Sequence, residues 1–180
     1  MPNTLWKPHK TPNAEALELL KNEINAPDII AQMLVQRGID TVPKVRAFFN
    51  PRIADMHDPF LMKDMDKAIE RIQKAQKEGE GVLIFGDYDV DGTTSVALTY
   101  SFFRDKFKKI DFYIPDRYKE GYGISEAGIN YAKSAGLSLI IALDCGIRSI
   151  DKINYAQTLG IDFIICDHHL PGDELPKAAA

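Results

Sequence analysis

VLIFGDYDVDGTTS, residues 82–95, decides the fold. Val82, Leu83, Ile84 and Phe85 are apolar without alternation, the pattern of a strand covered on both faces. Gly86 ends the run, and acids follow at Asp87, Asp89 and Asp91 before Gly92. TTSVALTYSFFRDKF, residues 93–107, then has helical character. The same grammar repeats downstream. IDFYI (110–114), LSLIIALD (137–144) and IDFIICD (161–167) are strand-like, and SEAGINYAKSAG (125–136) and RSIDKINYAQTLG (148–160) are helical. Alternating apolar strands and helices predict an α/β domain over 81–180 with a doubly wound, mainly parallel sheet.

Working towards the N-terminus, the pattern is helical throughout, giving an N-terminal helical region over 1–80. Residues 63–78 form an amphipathic stripe through Met65, Ile69, Ile72 and Gln76, closed by Gly79. Thr41 is expected to cap a short helix with Pro43 in its first turn and Val45, Phe48 and Phe49 facing inward. Asp28 is expected to cap the helix that stops at Gly38, and Asn13 to open one carrying Leu17, Leu20 and Ile24. Residues 1–12, with three prolines, read as an extended lead anchored by Trp6. His9 and His57 are expected at the surface.

Composition bounds the rest. The chain has 180 residues, 45% hydrophobic and 27% charged, which is ordinary for a globular protein and excludes disordered and collagen-like classes. Two cysteines do not make a disulfide scaffold and fit a reducing compartment, so a cytoplasmic location is expected. No apolar run reaches the ~18 residues of a membrane-spanning helix, and no secretory h-region is visible. The net charge is −4, unlike a typical basic DNA-binding domain. Its distribution matters more than its sum. Residues 1–81 hold 12 basic and 12 acidic side chains, and residues 82–180 hold 10 and 14. The deficit is within the five acids Asp87, Asp89, Asp91, Asp144 and Asp167, each at or just past the end of an apolar run. Divalent cations there would cancel it, so a phosphate-bearing partner remains compatible with the net charge.

Three strand ends carry ligand-type residues: Asp87, Asp89 and Asp91 after the first, Asp144 after the third, and Asp167, His168 and His169 after the fourth. In doubly wound sheets that edge binds ligands. A single acid there is usually a helix cap or turn residue. Three strand ends sharing the feature, one with a His-His pair, point to a site for Mg²⁺ or Mn²⁺, because packed carboxylates repel unless a cation intervenes. DxDxDG also opens an EF-hand loop, but that loop needs an acid where this chain has Leu98. HExxH, a P-loop and GxGxxG after a strand are all absent. Gly92 and Gly146 are candidates for close approach to an anion. Cys145 and Cys166 read as small buried residues.

DYDVDGTTS, LDCG and DHHLPG, in this order, resemble the DHH phosphoesterase superfamily, and within it the single-stranded-DNA-specific 5′→3′ exonucleases. LVQRGIDTVPKVRAFFNP and YIPDRYKEGYGIS are similar to the stretches flanking those motifs. The resemblance implies a two-metal phosphodiesterase that acts on single-stranded DNA in repair and recombination, with repair or replication proteins as possible partners and no membrane role. It implies Asp89, Asp91, Asp144 and His168 as ligands of Mn²⁺ or Mg²⁺, with Asp144 bridging. It implies His169 at the scissile phosphate, and Asp87 and Asp167 in support. Two such ions ~3.5–4 Å apart activate a bridging water and stabilise an in-line displacement.

Two departures stand out. Related pyrophosphatases carry a metal-binding His four residues before the second aspartate of the first motif, where this chain has Phe85; this argues against a pyrophosphatase. The family's fourth-motif aspartate has no counterpart, since only Asp173 and Glu174 follow Asp167. The expectation is an N-terminal portion of a longer protein that binds metal weakly and cuts poorly by itself. Residues 104–120 hold six basic and four acidic side chains, the composition of a solvated face. Within it Arg117, with Tyr118 and Tyr122 nearby, is the candidate for gripping a DNA strand by charge and stacking. The alternatives are a phosphodiesterase for short oligonucleotides or cyclic dinucleotides, and a non-catalytic scaffold of the same fold.

Overall fold

The computed structural model describes residues 11–180, together with Leu5 and Lys7. Trp6 and His9, and with them most of the expected lead segment, lie outside the described residues. The chain forms two compact units, Met1–Asp58 and Pro59–Ala180. The division therefore falls earlier than the 80/81 boundary expected from the change in pattern. The reason is the helix α4 (Met65–Glu78), whose Ala68, Ile72 and Ala75 pack on the sheet.

The first unit is built from α1 (Ala14–Ile24), α2 (Asp28–Gln36) and α3 (Val42–Phe49). Asn13 caps α1, accepting from the N–H groups of Glu15 and Ala16. Asp28 is not the cap of α2. It is the first helical residue, where its charge faces the positive helix end, and Pro27 holds the cap position. Thr41 takes the cap position of α3 with extended backbone but makes no side-chain capping bond. The core of this unit is small: Leu20, Ala31, Leu34 and Val45. Phe48 and Phe49, expected inward, are 56% and 59% exposed and meet edge to face at 5.1 Å. The last turn of α3 overruns a core of four buried residues. His57 is exposed, as expected.

The second unit holds four parallel strands in the order β2-β1-β3-β4: β1 (Val82–Gly86), β2 (Ile110–Tyr113), β3 (Leu139–Leu143) and β4 (Asp162–Cys166). Three helices connect them: α5 (Val90–Phe103), α6 (Glu126–Ser134) and α7 (Ile150–Thr158). Successive side chains of each strand point to opposite faces. Val82, Ile84, Leu139, Ile141 and Ile164 meet α4 and α5 through Ala75 and Val96. Leu83, Phe85, Ile140, Ala142 and Phe163 meet α6 and α7 through Ile129, Ala132, Ile153 and Ala156. Both faces are covered, which is why the strands read as unbroken apolar runs. The chain leaves β1 for β2 on one side and returns across it to β3 on the other. The winding thus reverses between β1 and β3, where such folds open a crevice.

The stripe of α4 runs through Ala75 rather than Gln76; Gln76 is exposed and donates to the Lys106 carbonyl at 3.2 Å. At the N-terminal edge of the sheet, Arg71 of α4 donates to both Glu80 oxygens at 3.0 and 2.8 Å and to Asp162 at 2.8 Å. The bonds from Arg71 hold the Glu80 carboxyl below its usual range against the opposing effect of burial, with Ser138 assisting. A depressed acid stabilises the fold above its unfolded pKa of ~4.3, and that contribution fades as pH falls through the folded value. Arg71→Ala is expected to destabilise the protein by ~2 kcal/mol at pH 7, between the range for exposed pairs and that for broken buried pairs. The gap in melting temperature to the wild type should shrink when both are melted near pH 3; an equal gap at the two pH values would show that packing, not charge, holds α4 here.

Candidate metal centre

Strand register builds the site. Gly86, Leu143 and Cys166 lie level across β1, β3 and β4, so the next residues, Asp87, Asp144 and Asp167, leave the sheet side by side. Asp144 is in the left-handed region, φ 62°, unusual for a residue other than glycine. Its N–H still donates to the Cys166 carbonyl at 2.8 Å, and its Oδ1 lies 3.0 Å from Nε2 of His168. Asp167 is buried. Its Oδ2 accepts from the Ile147 N–H at 3.0 Å, and its Oδ1 accepts from the His169 N–H at 3.1 Å and pairs with Nδ1 of His169 at 2.7 Å. Asp87, 1% exposed, accepts from the Gly123 N–H at 3.4 Å.

The GDYDVDG stretch folds as a strand end running into a helix start. Asp89 caps α5, accepting from the Gly92 N–H at 3.0 Å, and Asp91 lies exposed in the first turn. Gly92 is needed for packing. A Cβ there would lie 2.3 Å from the Asp87 carbonyl oxygen and 2.6 Å from its nitrogen.

Among the described residues, Asp144, His168 and His169 offer ligand atoms within 4.8 Å of one another. Burial pushes the Asp144 carboxyl up and repulsion from Asp89 and Asp91 adds to it, while the His168 bond pulls it down. A buried carboxylate under repulsion from neighbouring acids at a sheet edge, beside imidazole nitrogens, offers the donor set of a divalent cation. Of the four sequence-nominated ligands, Asp144 and His168 are in contact, whereas Asp89 and Asp91 lie outside that cluster and act on Asp144 through their charge. Asp91, Asp144, His168 and His169 also line one open cleft of about 1080 Å³. His169 borders a second cleft of about 620 Å³, with Arg148 and Ile147 on its wall. The Asp167 bond raises the His169 imidazole above its usual range.

A row of side chains leads away from the histidines. His168 and His169 lie 4.6 Å apart, Tyr122 meets His169 at 5.8 Å, Tyr88 meets Tyr122 at 6.4 Å, and the Arg117 guanidinium sits 4.9 Å from the Tyr88 ring. Tyr122 also reaches the ring nitrogens of His169 at 3.3 Å and the Asp144 carbonyl at 3.4 Å. Burial and the neighbouring Asp167, Asp87, Cys145 and Asp144 push its phenol up to about 12. Arg117 and Tyr122 are therefore linked to the histidines. Tyr88 was missed by sequence reasoning; its place inside the DYD motif was the signal available. Tyr118 points elsewhere, 96% exposed. Cys145 is buried as expected, whereas Cys166 is exposed, at the end of β4 where cover from the helices stops.

The family model for the N-terminal domain of the DHH family matches residues 81–180. The chain belongs to the DHH family. Among curated DHH relatives, the single-stranded-DNA-specific exonuclease RecJ of Bacillus subtilis is 41% identical over 169 residues, 94% of this chain and 22% of that protein. RecJ of Escherichia coli is 34% identical over 155 residues, 86% of this chain and 26% of that protein. The chain spans about a quarter of the length of these relatives. A solved structure of exonuclease RecJ bound to manganese matches with TM-score 0.60 and 28% identity, covering 66% of this chain and 30% of that one. RecJ from Thermus thermophilus in complex with Mn²⁺ matches with TM-score 0.66 and 21% identity over 94% of this chain and 23% of that one, a likeness of fold. Phe85 is wholly buried and stacks on Tyr113 at 5.5 Å, so this position serves the core and not the metal site.

Proposed function

We propose that this chain carries the N-terminal, metal-binding part of a RecJ-type exonuclease that hydrolyses single-stranded DNA from the 5′ end. The observation that carries the reading is the convergence of Asp144 with His168 and His169 under repulsion from Asp89 and Asp91. Asp89, Asp91, Asp144 and His168 hold Mn²⁺ or Mg²⁺, in keeping with the manganese bound by RecJ structures. Two such ions, when bound, supply an activated water and charge stabilisation for an in-line displacement at phosphorus. His169, whose bond to Asp167 favours the protonated imidazole, faces the scissile phosphate. Asp167 and Asp87 anchor the turns that present these groups. Arg117 and Tyr122 grip the strand by charge and stacking. The setting is DNA repair and recombination in the cytoplasm, with repair or replication proteins as partners. Among the described residues no helix is long and apolar enough to cross a membrane.

The test is a chimera in which this chain replaces the matching 169 residues of B. subtilis RecJ. With Mn²⁺ it should shorten 5′-labelled single-stranded DNA and spare duplex. A folded chimera that binds Mn²⁺ yet leaves single strands intact would refute the substrate. Arg117→Ala should weaken single-strand binding at every sequence and lower the salt slope by ~0.7 in log K against log salt, one phosphate contact. An unchanged slope would remove Arg117 from the interface.

A further inference from the structure

Glu120 is an acid in the segment proposed to grip a polyanion, and among the described residues no basic side chain pairs with it. Its bonds go elsewhere. Oε1 accepts from the Asp116 N–H at 2.8 Å, and Oε2 accepts from Tyr113 Oη at 2.9 Å and Ser125 Oγ at 2.5 Å. Its own N–H donates to the Asp116 carbonyl at 2.9 Å. One carboxylate thus ties the end of β2, a turn at 116–120 and the cap of α6, since Ser125 Oγ also accepts from the Gly128 N–H at 3.0 Å. Asp116 tightens the same turn by accepting from the N–H groups of Tyr118 and Lys119 at 2.9 and 3.0 Å. Burial pushes the Glu120 carboxyl up, but the bonds from Ser125, Asp116 and Tyr113 outweigh it and hold it below its usual range.

What hangs from this brace is the proposed grip. Arg117, in the turn, reaches back over the Tyr88 ring, and Tyr122, two residues past Glu120, reaches His169. Tyr122 is flanked by Gly121 (φ 80°) and Gly123 (φ 86°), left-handed positions that glycine adopts without strain. A segment with two such residues has many conformations to lose, and ordering it before a ligand arrives removes that entropy from binding.

We infer that Glu120 is a positioning residue: through Tyr113, Ser125 and the Asp116 N–H it fixes residues 116–123 so that Arg117 and Tyr122 stand ready for a single strand. The role rests on the proposed function for its DNA half, while the bracing itself is independent of it. Charge and position have opposite signs here. Removing an acid from the interface of a polyanion strengthens binding by charge alone, whereas losing the brace weakens it.

The experiment compares Glu120→Ala and Glu120→Gln with the wild type. The amide of Gln keeps one acceptor and can donate to the two hydroxyls, which reverse their roles. Glu120→Ala should be cut by trypsin after Arg117 and Lys119 about tenfold faster than wild type, and should bind single-stranded DNA about fivefold more weakly, a cost of about 1 kcal/mol in ordering the segment. Its Mn²⁺ affinity should be unchanged, which separates bracing from general unfolding. Glu120→Gln should match the wild type in trypsin and bind DNA at least as tightly. Unaltered trypsin rates in Glu120→Ala, or DNA binding that tightens as in Glu120→Gln, would overturn the inference. Faster cleavage in Glu120→Ala with a wild type that binds no single-stranded DNA would leave the brace standing and refute the proposed substrate instead.

Discussion

Asp144→Asn is expected to lower Mn²⁺-dependent cleavage by the RecJ chimera at least about a hundredfold, the loss that even an outer-shell partner of a metal can cause. Asp144 is largely buried, touches His168 and feels both Asp89 and Asp91. Asn has the same shape and tolerates the left-handed backbone found at φ 62°. It removes the charge that a cation requires and little else. The metal-free protein should therefore be as stable or slightly more so. A carboxyl whose folded pKa is raised above its unfolded value weakens the fold once it ionises, and the neutral amide lifts that burden at pH 7. Lost activity with a retained or raised melting temperature is the paired signature. A variant that cuts DNA within about tenfold of the parent, one power of ten short of that loss, would move the metal site away from Asp144.

Gly92→Ala should have the largest effect on stability. The added Cβ would meet backbone atoms of Asp87 at 2.3–2.7 Å, and backbone cannot rotate aside as a side chain can. Overpacking of this kind costs about 1–3 kcal/mol. At this chain length that is a fall of roughly 2–12 °C in melting temperature. The strand end and helix start must part to admit the methyl group, so Asp89 and Asp91 shift with them and Mn²⁺ affinity should fall as well. Gly172→Ala is the control, since a Cβ there meets its nearest atom at an ordinary 3.6 Å. Equal melting temperatures for the two variants would mean that the approach of α5 to β1 is looser than described.

Strands β1, β3 and β4 were legible because a strand between two helical layers has no solvent face and so no alternation in its sequence. Their ends were legible for a related reason. Asp87, Asp144 and Asp167 follow apolar runs directly, and parallel register places them on one edge. What sequence could not show were contacts between segments far apart in the chain. Tyr88 and Tyr122 come together across the winding reversal, and no local pattern announces it. Phe48 and Phe49 failed in the opposite sense: helical spacing gave them an inward direction, but spacing carries no information on how far a core of four residues extends. Helix α4 packs with the second compact unit although its pattern is helical like that of its predecessors, because membership of a compact unit depends on which surface an apolar stripe covers.

Mn²⁺ titration of the 180-residue chain, followed by the loss of the free-ion paramagnetic resonance signal, shows whether the strand ends hold a cation. Saturable binding that disappears in Asp144→Asn and weakens in His168→Ala is the result predicted by a cation site at the ends of β1, β3 and β4. Binding that is absent in the folded wild type, or equally strong in both variants, would contradict it.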